Sequence, residues 1–241
     1  MALIPVMFTY SGWNAAAYVA EEVRDPGRNV PLALGLGTLA VVVIYLGLNA
    51  AYLFALPAAS LAAVKGTLID SVAERLFGFA AGNLIAAFTI VSIAASISAM
   101  VLAGPRVYFA MARDGLFAAP TARVHPRYRA PVSAIVTQAL WSSLLVLCGS
   151  LSQLVSYTGF AVVLFSGVAV SALFVLRHRE PSAERPFRAW GYPLAPAVFV
   201  LASAVMVLND VWRNPGPSAT GLVVISAGIP LYLWMTRPGR R

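Results

Sequence analysis

Two groups of residues near the start of the chain have the types and spacing to do chemistry. The first is Phe8-Thr9-Tyr10-Ser11-Gly12-Trp13-Asn14, set inside an apolar run. Gly12 relaxes the backbone, and the side chains of Ser11 and Asn14 can partner amide groups that leave a helical ladder. A helix loosened at mid-depth in a bilayer exposes backbone polar groups, and these are tolerated only where they face a cavity or a ligand. The carbonyls at the end of the preceding half-helix carry partial negative charge and suit an ammonium group. Phe8 and Trp13 could close over an apolar side chain or stack against it. The competing reading is an unbroken helix with a small-residue packing face.

The second group is Glu21-Glu22-Val23-Arg24-Asp25-Pro26-Gly27-Arg28-Asn29-Val30-Pro31, where the apolar run ends. Glu21, Glu22, Arg24 and Arg28 could form a cytoplasmic gate whose ion pairs break on opening. Glu21 is expected to pair with Arg28 across a turn, or the acids with the ends of other helices. The same residues also make a solvated loop, and exposed pairs contribute only about 0–1 kcal/mol. Pro26-Gly27 is expected to end the first helix, with Asn29 capping the next and Pro31 in its first turn. Further on, Ser92 and Ser96 are four apart and share a helical face, as ion ligands or as packing hydroxyls.

Other chemistry is poorly represented. His125 and His178 lie in polar connectors without metal-ligand spacing, and Cys148 is the single cysteine. Glycine-rich phosphate loops and nucleophile elbows are not found. No cofactor, metal or enzymatic activity is expected. The acidic residues all fall in connectors or near helix ends, Asp210 being nearest a span interior, so no intramembrane carboxylate relay is expected in this portion.

The elements that must position these residues follow from composition. Of 241 residues, 60% are hydrophobic and 11% charged, against about 25% charged in soluble domains. The chain reads as an all-α integral membrane protein with about seven transmembrane helices. Stretches near 2–20, 31–56, 80–104, 131–149, 153–177, 192–212 and 217–236 approach the length a span needs. A tight turn at Gly149-Ser150 joins the fourth to the fifth, and Gly66 to Phe77 is expected to form an amphipathic surface helix. The net charge of +8 is spread over short connectors, so a nucleic-acid partner is not expected. Fourteen of the 17 Lys and Arg residues fall on one side of this topology. That side is expected to be cytoplasmic, with the C-terminus inside and the N-terminus outside, in the plasma membrane. Arg123, Arg127, Arg129 and Tyr128 form a collar suited to lipid headgroups.

The two N-terminal groups together resemble the sixth span and following loop of amino acid permeases, in the amino acid–polyamine–organocation superfamily near its L-type amino acid transporter branch. Arg106-Val107-Tyr108-Phe109-Ala110-Met111-Ala112-Arg113-Asp114-Gly115 with Val124-His125-Pro126-Arg127-Tyr128-Arg129-Ala130-Pro131 is similar to the segment after that family's eighth span. The resemblance covers the whole chain as spans six to twelve of a twelve-span permease. It implies a partial inverted-repeat, leucine-transporter-like fold with a discontinuous first helix. Residues 1–177 would be the second five-helix repeat and 192–236 two accessory helices. By the same resemblance Phe8 matches an aromatic gate and Thr9 to Gly12 a carbonyl-lined substrate site. Ser11 stands where the L-type pattern has a glycine, which narrows that pocket. The implied activity is amino acid transport by alternating access. The implied partners are the substrate, the bilayer, five missing N-terminal spans, and a second copy or accessory subunit.

The alternative is a complete seven-span receptor or another membrane protein without transport activity. Lys65, the only lysine, lies in a connector and excludes a retinal Schiff base within a span.

Overall fold

A computed structural model describes residues 3–235 except 65–66 and 186. Lys65, Gly66 and the C-terminal Arg237, Arg240 and Arg241 therefore lie outside the described residues, and so does the end of the last expected span. The ten α-helices among the described residues are α1 (Leu3–Thr9), α2 (Ala15–Tyr18), α3 (Pro26–Ala55), α4 (Ala58–Ala63), α5 (Leu68–Phe77), α6 (Phe79–Arg113), α7 (Val132–Cys148), α8 (Leu151–Arg179), α9 (Leu194–Arg213) and α10 (Pro215–Met235). Short 3₁₀ turns occupy Ala20–Glu22 and Ala119–Ala122.

Among the described residues four helices are long and apolar enough to cross a membrane: Pro26–Ala55, Gly82–Arg113, Gln153–Arg179 and Leu194–Arg213. The seven expected stretches all fall on helices, but they are not seven equal spans. The first is split into α1 and α2. With 17 residues, α7 is about 26 Å long, at the lower limit for a hydrocarbon core of about 30 Å.

Two boundaries differ from expectation. Pro26-Gly27 opens α3 instead of closing the helix before it. Asp25, at φ +48°, turns the chain so that its carbonyl accepts from the amides of Arg28 and Asn29, both at 3.0 Å. Proline suits a first helical position because its missing N–H would have had no helical acceptor there. Asn29 is consequently inside the helix, and its Nδ2 reaches back to the carbonyl of Arg24 at 2.6 Å. Pro31 lies in the second turn, where it removes one rung of the ladder. The other difference is that α6 does not stop near residue 104. It continues through Pro105 to Arg113 and carries the Arg106–Arg113 motif on helix, not loop.

The chain divides into two compact units. One comprises residues 1–31 and 104–241, the other 32–103. In the first unit α8 is the hub, against which α1, α9 and α10 pack. Its apolar window is 22% buried, against 6% for that of α9. Phe160 and Val163 are its buried anchors, at 1% and 2% exposure. Two small positions on α8 allow close approach. A Cβ on Gly159 would lie 3.0 Å from Ile4 Cγ2 of α1, and one on Gly167 would lie 3.0 Å from Ser203 Cβ of α9. Small residues of this kind let membrane helices approach backbone to backbone. Ser150 begins α8 with a capping box: its hydroxyl accepts from the Gln153 amide, and Gln153 Oε1 accepts from the Ser150 amide at 3.0 Å.

In the second unit α5 is amphipathic, as its sequence suggests, and buries Val72 and Ala73. The apolar side chains along the unit's parts of α3 and α6 are largely exposed, among them Leu46, Leu53, Ile90 and Ile97. Helices apolar all round are suited to a lipid or protein surround and not to water.

Candidate functional site

The expected soft spot is a break in the helix. The amide ladder of α1 ends as Tyr10 N–H bonds to Val6 O at 3.2 Å and Ser11 N–H turns back to Phe8 O at 3.0 Å. Gly12 then adopts φ +104°, a region that side-chain-bearing residues rarely enter. Helical pairing resumes with Ala15 N–H to Gly12 O at 3.0 Å. The amides of Gly12, Trp13 and Asn14 make no backbone hydrogen bond among the described residues. Asn14 Nδ2 donates to the Tyr18 hydroxyl, and Thr9 Oγ1 donates to Pro5 O at 2.9 Å. The competing picture of an uninterrupted helix does not describe this segment.

The break is held from two sides. Gly159 of α8 receives Ile4 and Phe8, so that α1 lies directly on α8. Trp13 meets Phe199 of α9 edge to face, with ring centroids 6.5 Å apart. Phe8, Ser11 and Asn14 are half-buried, while Thr9, Tyr10, Gly12 and Trp13 are exposed. Nothing in the sequence marked Phe199 as the partner of Trp13, since an aromatic residue in an apolar helix carries no positional signal.

The second group forms ion pairs with distant residues, not within its own loop. Glu22 is gripped by Arg106 of α6, Nε to Oε1 at 2.7 Å and Nη2 to Oε2 at 3.0 Å. Glu21 is gripped by Arg113, about two turns further along α6, at 2.8 and 3.3 Å. Glu21 does not reach Arg28 because the turn at Asp25 commits Arg28 to the first turn of α3. Both contacts are two-pronged, the geometry that makes Arg–carboxylate pairs specific. The guanidinium of Arg113 holds the Glu21 carboxyl below its usual range chiefly by hydrogen bonding, and Arg106 does the same to Glu22. Arg113 also stands 5.9 Å from the Phe109 ring centroid. Of the four expected loop residues, the structure thus brings Glu21 and Glu22 to α6. Arg24 contributes its carbonyl to Asn29.

Ser92 and Ser96 belong to the other unit. They are exposed and line an open groove with Tyr52, Thr67, Phe88 and Thr89. The hydroxyl of Thr89 is bonded to Ile85 O at 2.9 Å. His125 is a loop organiser: its Nδ1 accepts the amides of Arg127 and Tyr128 at 3.2 and 3.4 Å. Among the described residues no group of three or more His, Cys, Asp or Glu could hold a metal ion.

Sequence reasoning missed a polar knot at the α9–α10 junction. Asp210 accepts from Asn214 Nδ2 at 2.8 Å and from the hydroxyl of Ser218, which is 1% exposed, at 2.9 Å. The spacing of four and eight residues across Pro215 was its only sequence signal.

A broken helix on an all-helical scaffold rich in membrane-length helices is the architecture of multi-pass membrane transport proteins. The family model for amino acid permeases matches residues 1–235, and the chain belongs to that family. It is similar to the large neutral amino acids transporter small subunit 2 of Oryctolagus cuniculus, 28% identical over 99% of this chain and 44% of that protein. It is 30% identical to the serine/threonine exchanger SteT of Bacillus subtilis over 98% of this chain and 54% of that protein. It is 29% identical to the human cystine/glutamate transporter over 96% of this chain and 46% of that protein. The chain spans about half the length of the curated relatives it matches. These relatives carry the names of transporters and of an exchanger.

Proposed function

We propose that this chain is the C-terminal portion of an amino acid transporter that works by alternating access, and that the Tyr10–Asn14 break is half of its substrate site. The observation that carries the reading is the interruption at Gly12, where the helix leaves its ladder within an apolar run and is braced by α8 and α9. Carbonyls released at the end of α1 bind the substrate ammonium group. Phe8 and Trp13 cover its side chain, and Ser11 limits the room for that side chain. The substrate carboxylate is held by spans that precede this sequence.

In this reading residues 1–177 are the second five-helix repeat, and α9 with α10 is the accessory pair. The 3₁₀ turn carrying Glu21 and Glu22 is a cytoplasmic latch onto Arg106 and Arg113, broken when the site opens inward. The protein lies in the plasma membrane with its C-terminus in the cytoplasm, the side richer in arginine. The rabbit relative is named a small subunit, so a companion subunit is the partner to test first.

The test is uptake of a panel of labelled amino acids into proteoliposomes by the complete protein. Saturable, stereospecific uptake is expected, with weaker apparent affinity after Phe8→Ala. The isolated 241-residue chain is expected to give none. Folded Phe8→Ala protein with wild-type kinetics for every substrate would place the site elsewhere.

A further inference from the structure

The connector after α8 contains a feature that transport does not use. Arg177, Arg179, Arg185 and Arg188 follow one another within twelve residues at the end of a membrane-length helix. Three of them, Arg177, Arg185 and Arg188, line an open basin together with Ser182 and Glu184.

Their roles in the basin differ. Arg185 is structural. Its Nη2 donates to Glu180 O at 2.6 Å, and its Nη1 to Ala183 O and Pro181 O at 2.9 and 3.2 Å. It thereby ties down the turn that follows α8 and occupies carbonyls that by themselves would repel an anion. Arg177 is fixed but uncommitted. Its guanidinium stacks on the Tyr192 ring, 3.6 Å from the centroid, and Tyr192 is itself backed by Phe174. Stacking occupies the face of the guanidinium and leaves its in-plane N–H groups to donate. Its Nε is buried and has no hydrogen-bond partner among the described residues. Arg188 is exposed at the rim. Against these three cations Glu184 supplies the single negative charge among the lining residues.

We propose that this basin binds a phosphate oxyanion, with Arg177 as its pre-oriented fork, Arg188 as a second cation and Ser182 as a neutral donor. Its place at the end of α8 makes the phosphate of an anionic phospholipid headgroup the expected source, free phosphate being the other. Exposed Trp190, between the basin and α9, is of the type that settles at headgroup depth. The inference rests on α8 crossing the bilayer and is independent of what the protein transports.

The test uses the complete protein in nanodiscs of phosphatidylcholine with and without phosphatidylglycerol. Co-purifying lipid is counted by native mass spectrometry after partial delipidation, and inorganic phosphate is titrated in a separate arm followed by phosphorus NMR. Wild type should retain phosphatidylglycerol over phosphatidylcholine, and Arg188→Gln and Arg177→Gln should each lower that preference by about fivefold. Arg213→Gln, at the far end of α9 and outside the basin, should leave it unchanged. Because Arg177 also packs on Tyr192, Arg188→Gln at the rim is the variant that cannot be explained by misfolding. Phosphate broadening that Arg188→Gln abolishes, without lipid preference, would support the same site with free phosphate as its ligand. Equal lipid retention and equal phosphate response in wild type, Arg188→Gln and Arg213→Gln would overturn the proposal.

Discussion

Arg106 and Glu22 are 84 residues apart in sequence, yet the Arg106 Nε lies 2.7 Å from Glu22 Oε1 and its Nη2 lies 3.0 Å from Oε2. The acid follows directly on the broken segment, and the base follows the proline within α6. One contact therefore joins the end of the candidate site to a long helix. Its side chains are 20% exposed at Arg106 and 63% at Glu22, so solvent screens it on the acid's side. Its value lies more in geometry than in stability.

The proposed latch makes a kinetic prediction. Arg106→Lys keeps the charge but loses the two-pronged grip. Transport by the complete protein should change several-fold in rate, with the apparent substrate affinity moving together with it. Glu22→Arg combined with Arg106→Glu should recover part of the loss. Single and double variants that all transport at the wild-type rate would leave the pair as a surface contact.

Acid should weaken the same region. The folded-state values of Glu21 and Glu22 are both depressed by their arginine partners. Their contribution is present above the ordinary carboxylate value of 4.5 and is lost as pH falls through the lower folded values. Thermal melting of the protein in detergent should therefore fall as pH drops below the ordinary carboxylate value of 4.5, and the double variant Glu21→Gln/Glu22→Gln should show a shallower fall. An identical pH profile in both proteins would remove these two acids as its cause.

Gly12→Ala tests the break directly. No atom lies within 4 Å of the added Cβ, so sterics with neighbours are not the issue. The cost is backbone strain at φ +104°, about 1–3 kcal/mol for a side-chain-bearing residue in a sparsely populated region. Apparent substrate affinity in the complete protein should drop, and the melting temperature should fall by the few degrees that this strain implies.

The α8–α9 contact gives opposite expectations for two neighbouring changes. Gly167→Ala places a Cβ 3.0 Å from Ser203 Cβ, too close to the α9 backbone to be absorbed by a rotamer, and should destabilise by about 1–3 kcal/mol. Ser203→Ala removes a buried hydroxyl that has no hydrogen-bond partner, and should be neutral or stabilising by up to about 1 kcal/mol. Melting temperatures of both variants in one detergent decide the matter.

Asp210→Ala should cost about 1–3 kcal/mol, because it strands the buried Ser218 hydroxyl. Adding Ser218→Ala should recover most of that loss, since neither partner then needs the other. A double variant no more stable than Asp210→Ala alone would contradict the knot.

The primary sequence alone determined that the chain is helical and membrane-embedded. Segment length and apolarity suffice for that, because a bilayer permits few other backbones. It also marked Gly12 as the weak point of the first helix and a tight turn at Gly149-Ser150 before α8, since such backbone preferences act within a few residues. Long-range placement was beyond it. Glu21 and Glu22 had several arginines available, Arg28 across a turn and others at the ends of distant helices, and local spacing did not choose among them. The turn at Asp25 and the unbroken run of α6 past Pro105 selected Arg113 and Arg106 instead. Phe199 beside Trp13, Tyr192 beneath Arg177 and Ser203 against Gly167 were likewise decided by how α1, α8 and α9 pack. Such partners are fixed by tertiary packing because every residue of an apolar helix satisfies the same local rules, and only contact in three dimensions tells them apart.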